Sequence, residues 1–261
     1  ELQDIEFDLC IVDEASKATP GEAVVPLAKS KQWVLVGDPR QLPPFVMIDR
    51  DLPSLLQNYD GLEEHHLKES LLDHLLSNLP TSNCFRLLKQ YRMIKPIGDL
   101  VSSIFYDGEL QSVQTQSQVD LTTIFKKPVT WFSTSAIPQR RETKSNTSYA
   151  NLVEANVIKG LITRLLELLI EQDVQNFSIC LLSGYLTQVD ELKRILGDLV
   201  IPETISIDAC TVDTFQGREA DVAIYSITRS NERNDIGFVR DKARLNVALS
   251  RARVALGIVG D

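Results

Sequence analysis

Several things are scarce in this chain, and each scarcity excludes something. Cysteine occurs only at Cys10, Cys84, Cys180 and Cys210, widely spaced and without a C-x-x-C pair, which argues against a disulfide framework and a thiolate zinc site. Three of the four lie in strand-like apolar runs and read as buried thiols of a reducing compartment, cytoplasmic or, in a eukaryote, nuclear. The three histidines, His65, His66 and His74, have no partner at metal-ligand spacing and are expected to be solvated or structural. No apolar run approaches the ~20 residues that span a bilayer, and the N-terminus lacks a signal-peptide pattern; no membrane contact is expected. Basic excess is missing too. The formal charge of −9 argues against coating nucleic acid by bulk electrostatics, although a local basic groove remains open.

What remains is the composition of an ordinary globular chain, 43% apolar and 24% charged. Its 261 residues suit one large domain or two modest ones. Short apolar runs alternate with amphipathic segments. The runs predict strands over 7–12, 33–36, 85–88, 129–132, 179–182, 205–211, 222–227 and 256–259. The segments predict helices over 22–29, 67–79, 96–105, 151–170, 186–196 and 242–252. Strands alternating with helices indicate an α/β fold with a parallel, doubly wound sheet. Residues 46–66 are acidic and loop-like, a boundary. Residues 111–127 are polar and weakly patterned, an exposed excursion.

Five stretches carry chemistry. LCIVDEAS ends an apolar strand in Asp13 and Glu14, and ligands of open α/β sheets sit beyond the carboxyl ends of strands. One acid there can hold magnesium through water while its neighbour polarises an attacking water. VLVGDPRQLPP ends a second strand in Gly-Asp and presents Gln41 from a loop stiffened by Pro39, Pro43 and Pro44. A glutamine so held can sense a γ-phosphate. KQYRM offers Tyr91 as a stacking face and Arg92 as a planar, permanently charged fork. TVDTFQGREAD crowds Thr214, Gln216, Arg218 and Glu219 onto one loop, with Gly217 permitting a tight turn. GFVRDKARLNVALSRAR, 237–253, reads as a helix placing Arg244 and Arg251 two turns apart on one face.

Taken in order, VDEAS, GDPRQLPP, QYRM, TVDTFQGREADVAIYS and LNVALSRAR resemble the motor motifs of superfamily 1 helicases. The branch resembled is that of the RNA-surveillance helicase and senataxin, whose members typically translocate 5′→3′. The stretch SYANLVEA, 148–155, is similar to that family's S-Y-x-N-x-x-E-A segment. The resemblance implies a RecA-like parallel sheet flanked by helices: the last part of a first motor lobe over 1–45, an interlobe connection over 46–81 and a complete second lobe over 82–261. It implies ATP and Mg as cofactors and single-stranded DNA or RNA as partner. Asp13 and Glu14 would be the Walker B pair, with Asp13 on magnesium through water and Glu14 activating the hydrolytic water. Gln41 would contact the γ-phosphate and Tyr91 would stack on adenine. Arg92 and Arg251 would be arginine fingers, Glu219 would touch the ribose with Gly217 allowing close approach, and Thr211 and Thr214 would contact the nucleic-acid backbone.

Two departures stand out. The phosphate loop G-x-x-x-x-G-K-[ST] does not occur, since none of the twelve glycines is followed by lysine. It is expected upstream, in a missing N-terminal motor segment of the same protein, and the chain by itself is expected to be inactive. Ala243 stands where the family often has the first of two arginines. A non-catalytic RecA-like binding or scaffold remnant, and a motor that remodels protein–nucleic acid complexes without separating strands, are the alternative readings.

Overall fold

The computed structural model describes residues 5–45, 56–59, 61, 63, 69–114 and 119–261. The sequence-based expectations for His65, His66 and most of 46–66 lie outside these residues. The chain divides into two compact units, Glu1–Arg86 and Leu87–Asp261. Among the described residues no helix is long and apolar enough to cross a membrane.

In the first unit, β1 (Phe7–Val12) and β2 (Ser30–Leu35) pair in parallel from Phe7↔Ser30 to Val12↔Leu35. Parallel neighbours need a crossover, supplied by α1 (Pro20–Leu27). Its start is written in the sequence. Thr19 Oγ1 accepts from the Glu22 amide, the Glu22 carboxylate accepts from the Thr19 amide at 2.9 Å, and Pro20 opens the helix. Two strands cannot bury two apolar faces, so Leu9 and Ile11 stand 49% and 63% exposed. A second helix, α2 (Leu71–Asn78), begins at Ser70, whose hydroxyl accepts from the Asp73 amide.

The second unit is built on β5 (Val129–Ser133), β8 (Phe177–Ser183), β9 (Ile205–Thr211), β10 (Ala220–Ser226) and β11 (Ala252–Gly260). They form one parallel sheet in the order β5-β11-β10-β8-β9. Ile179, Leu181, Val222 and Ile224 alternate onto one face and join a core with α4 (Leu152–Glu171) and α5 (Leu186–Gly197). On α4, Ile158, Leu161, Ile162, Leu165, Leu166 and Leu169 repeat at helical spacing and are buried. Full burial of each such side chain contributes about 1.5–3 kcal/mol. The other face carries Cys180, Leu182, Ala223 and Tyr225 and packs against α3 (Lys95–Phe105) and α7 (Lys242–Leu249). Two small pairs complete the unit: β3 (Lys89–Gln90) with β4 (Gln111–Ser112), parallel, and β6 (Thr143–Ser145) with β7 (Ser148–Ala150), antiparallel. The α/β class expected from the sequence, with a parallel sheet flanked by helices, is the fold.

Four expectations need correction. Residues 85–88 form no strand; the ladder lies one step later, at Lys89–Gln90, where Gln111–Ser112 provides a partner, and Phe85 and Leu87 are exposed. The 237–253 stretch is not one helix. A 3-10 turn at Gly237–Arg240 is followed by Asp241, whose carboxylate caps the amides of Ala243 and Arg244, and α7 ends at Leu249. Arg244 and Arg251 therefore do not share a helical face. Residues 111–127 are not simply an excursion, because Leu121, Ile124 and Phe125 enter the core from a single turn opened by Asp120. Of the thiols in strand-like runs, Cys180 and Cys210 are buried, whereas Cys10 is only partly so on its two-stranded sheet.

Candidate active site

In the first unit the acids are delivered by the end of β1. Val36 N donates to Val12 O and Ala15 N to Val36 O, both at 2.8 Å, so the chain after β1 continues alongside the end of β2. Asp13 and Glu14 are exposed. Glu14 takes a left-handed backbone, φ 52°, and its amide donates to Asp13 Oδ1 at 2.8 Å. A left-handed non-glycine residue costs of order 1–3 kcal/mol and clusters at functional sites. Gly37 explains the tight seating of the neighbouring loop, since a Cβ there would stand 2.8 Å from Ser16 N and 2.7 Å from Leu72 Cδ2. Asp38 then organises the proline-rich loop. Its Oδ1 accepts from Arg40 N, its backbone carbonyl from Gln41 N, and its Oδ2 from Gln41 Nε2, each at 3.0 Å. Asp13, Glu14 and Gln41 thus rise from two adjoining loops of one unit. Asp38, which the sequence marks only as part of Gly-Asp, is the residue that aims Gln41.

In the second unit the Tyr91–Arg92 turn is closed by the residue before it. Gln90 Oε1 accepts from Met93 N and Gln90 Nε2 donates to Met93 O, each at 2.8 Å. Met93 and Ile94 are buried beneath, and Tyr91 is left 69% exposed. Arg92 Nε donates to Glu219 Oε2 at 2.7 Å, and Arg92 Nη1 to Ser250 O at 3.3 Å. Glu219 immediately precedes β10, and Ser250–Arg251 immediately precedes β11. The cluster therefore gathers at the amino ends of these strands, whereas the acids of the first unit follow the carboxyl end of β1.

Gly217 has φ 79°, a conformation L side chains rarely adopt, and its turn carries the chain from α6 (Val212–Phe215) to Glu219. Thr211 caps α6: its Oγ1 accepts from Thr214 N at 3.3 Å and lies 2.8 Å from Thr214 Oγ1. The two threonines expected at the nucleic acid are thus neighbours held by one cap. Arg244 braces the same loop, its Nε and Nη2 donating to Asp213 at 3.1 Å while Nη1 donates to Asp241. The Asp213 and Asp241 carboxylates push its pKa up.

Arg251 behaves differently from Arg92. It is 1% exposed. Its Nε donates to Val247 O at 2.9 Å, Nη1 to Arg218 O at 3.2 Å and Nη2 to Ser250 Oγ at 2.9 Å. In this conformation the guanidinium fastens the end of α7 to the Gly217–Glu219 turn.

A second polar cluster lies at the carboxyl ends of β8 and β10. Glu154, Asn151, Gln188, Ser183, Ser226 and Thr228 are fully buried. Glu154 Oε2 accepts from Ser226 Oγ at 2.6 Å and Thr228 N at 2.8 Å, and its Oε1 from Asn151 Nδ2 at 3.2 Å. Burial pushes the Glu154 carboxyl up to about 7, against the lowering effect of these bonds. Thr228 is held at φ 70°, a rare state for a β-branched residue.

Both segments of the chain match models described as an AAA domain, one over residues 1–49 and the other over 67–261. A DNA polymerase alpha-associated DNA helicase A of Saccharomyces cerevisiae is 32% identical over 98% of this chain. The helicase sen1 and the ATP-dependent helicase upf1 of Schizosaccharomyces pombe are 33% and 34% identical over the same share. The chain spans 38%, 15% and 27% of those three proteins. An α/β sheet with these loops, together with these matches, defines a helicase-type AAA domain. The chain belongs to this AAA-domain family, among the superfamily 1 helicases of the upf1 and sen1 type.

Proposed function

We propose that this chain is the C-terminal portion of an ATP-dependent DNA or RNA helicase or translocase, with residues 1–45 closing a first motor lobe, 46–81 connecting and 82–261 forming the second. One observation carries the reading: Arg92 and Glu219, 127 positions apart, meet as a guanidinium and a carboxylate at 2.7 Å, and the residue next to Arg92, Tyr91, presents an exposed ring. A stacking ring, a guanidinium that donates and a carboxylate that accepts suit the base, phosphate and ribose of a nucleotide.

The first unit supplies acids. The Asp13 carboxylate is a hard oxygen donor at an exposed strand end and suits magnesium through water; the ion, when bound, neutralises charge on the phosphates. Glu14 takes a proton from the attacking water, an effect of roughly 10²–10⁴ in rate. Gln41, aimed by Asp38, reports whether the γ-phosphate is present. In the second unit Tyr91 stacks on adenine, Glu219 accepts from the ribose, and Arg92 leaves Glu219 for the γ-phosphate, exchanging one charge-assisted contact for another. Arg251 follows once its contact with Arg218 O is exchanged. Thr211 and Thr214 meet the backbone of a single strand, DNA or RNA, so binding weakens with salt. Because G-x-x-x-x-G-K-[ST] is absent from these residues, they lack the backbone nest that cradles a triphosphate, and turnover needs that loop from another segment of the protein.

The test is ATP hydrolysis with and without single-stranded DNA or RNA. The full-length protein is expected to show strand-stimulated turnover that Glu14→Gln abolishes, and residues 1–261 alone to show none. Strand-independent turnover untouched by Glu14→Gln would overturn the assignment of the acids. Robust hydrolysis by residues 1–261 alone would overturn the need for the absent loop.

A further inference from the structure

Glu219 is held on both sides. Its Oε2 accepts from Arg92 Nε at 2.7 Å, and its Oε1 faces Arg253 Nη1 at 3.4 Å. Arg253 is itself anchored: Nε and Nη2 both donate to Asp221 Oδ1, at 3.1 and 2.8 Å. Asp221 Oδ2 in turn accepts from Ser178 N at 2.9 Å and Ser178 Oγ at 2.8 Å, while Asp221 N donates back to Ser178 Oγ. The backbone of the same arginine closes the circuit, because Ile94 N donates to Arg253 O at 2.9 Å. One residue thus touches the Arg92 turn through its carbonyl and Glu219 through its side chain. Ser178, Asp221 and Arg253 lie near the starts of β8, β10 and β11, three adjacent strands, so the chain of bonds is mounted on the sheet.

We propose that Arg253, braced by Asp221 and Ser178, is a positioning residue that keeps Glu219 oriented and charge-compensated when Arg92 leaves it for phosphate. The proposal rests on Glu219 being the ribose contact. Without Arg253, a departing Arg92 strips Glu219 of its neighbouring positive charge and of the brace at Oε1. The carboxylate is then free to rotate, and its hydrogen bond to a ribose hydroxyl loses definition. A lysine at 253 keeps the charge but not the planar fork that spans Asp221 and Glu219 together.

The readout is ribose selectivity in the full-length protein, taken as the ratio of kcat/KM for ATP to that for 2′-deoxyATP and for 3′-deoxyATP. Glu219→Gln is expected to cut the larger ratio by about tenfold, the scale of one hydrogen bond to a charged group. Arg253→Gln should cut the same ratio at least threefold, and Arg253→Lys by an intermediate amount. The double variant Glu219→Gln/Arg253→Gln should match Glu219→Gln alone, since one residue acts through the other. If Glu219→Gln leaves both ratios unchanged, the ribose assignment itself is wrong. If Glu219→Gln lowers the ratio while Arg253→Gln and Arg253→Lys do not, the ribose contact stands and the positioning role falls. Additive losses in the double variant would likewise remove it.

Discussion

The two ends of the five-stranded sheet carry polar clusters of opposite character. At the amino ends of β8, β10 and β11, Arg92, Glu219, Arg253 and Asp221 form ion pairs whose side chains remain partly open to solvent. At the carboxyl ends, Glu154 is hydrogen-bonded to amides and hydroxyls that are all fully buried, and the Glu142 and Asp261 carboxylates add to the upward push of burial on it. Partly solvated ion pairs are worth little, ~0–1 kcal/mol each, and so can be exchanged for a ligand at small cost. A buried network is satisfied or it is ruinous. The difference separates ion pairs that a ligand could displace from a joint that stays shut: Asn151 and Glu154 fix the start of α4 against the end of β10.

The largest expected effect tests the exchangeable end. Arg92→Ala should lower strand-stimulated ATP hydrolysis by roughly 10³–10⁵, the contribution of an arginine finger, and change stability by less than ~1 kcal/mol. Arg251→Ala should lower turnover too but also destabilise by about 2–4 kcal/mol, because it strips buried acceptors of their donor. Steady-state kinetics and urea denaturation on the same preparations separate the two. If both variants kept wild-type turnover, the fingers assignment would end. If Arg251→Ala were as stable as Arg92→Ala, the contrast between a parked and a buried arginine would be wrong.

The closed end makes the next prediction. The Glu154 carboxyl is raised from its ordinary 4.5 to about 7 in the folded protein. Between those values the folded state holds a proton that the unfolded state has released, so stability falls as pH rises from about 4.5 to about 7 and levels off above. The full difference is on the order of 3 kcal/mol. Glu154→Gln removes the titration, and its stability should change less over pH 5–8 than that of the wild type, measured by urea unfolding at several pH values. Parallel profiles for the two proteins would show that Glu154 does not titrate there.

Much of this was legible from the chain. Alternating apolar runs and helical faces defined the parallel sheet, and the order of the five stretches located Tyr91, Arg92, Gly217 and Glu219. What was hidden depended on partners distant in sequence. Nothing within ALSRAR ends a helix, since alanine, leucine and arginine all favour one. α7 stops because Ala252 enters the ladder opposite Ala220, with Ala220 N donating to Arg251 O at 3.0 Å. The same ladder puts Arg253 beside Asp221, which no spacing announces. Residues 85–88 read as a strand because their pattern is apolar, yet a strand also needs a neighbour. Leu121, Ile124 and Phe125 were masked by polar surroundings, although their i, i+3, i+4 spacing is that of one helical turn.

The smallest expected effect sharpens what the exposed end is for. Gln90 ties Met93 at both its amide and its carbonyl, so Tyr91 projects from a closed turn instead of packing inward. An exposed ring costs the fold little to remove. Tyr91→Ala should leave stability within ~0.5 kcal/mol and raise KM for ATP by roughly three- to tenfold, the worth of one aromatic stacking contact. Tyr91→Phe keeps the ring and should stay close to wild type. The discriminating comparison is the nucleotide base: pyrimidine triphosphates stack over a smaller area, so Tyr91→Ala should narrow the preference for ATP over CTP, and Tyr91→Phe should not. An unchanged preference in Tyr91→Ala would mean that the ring serves the turn and not the base, and the amino end would then bind through charge alone.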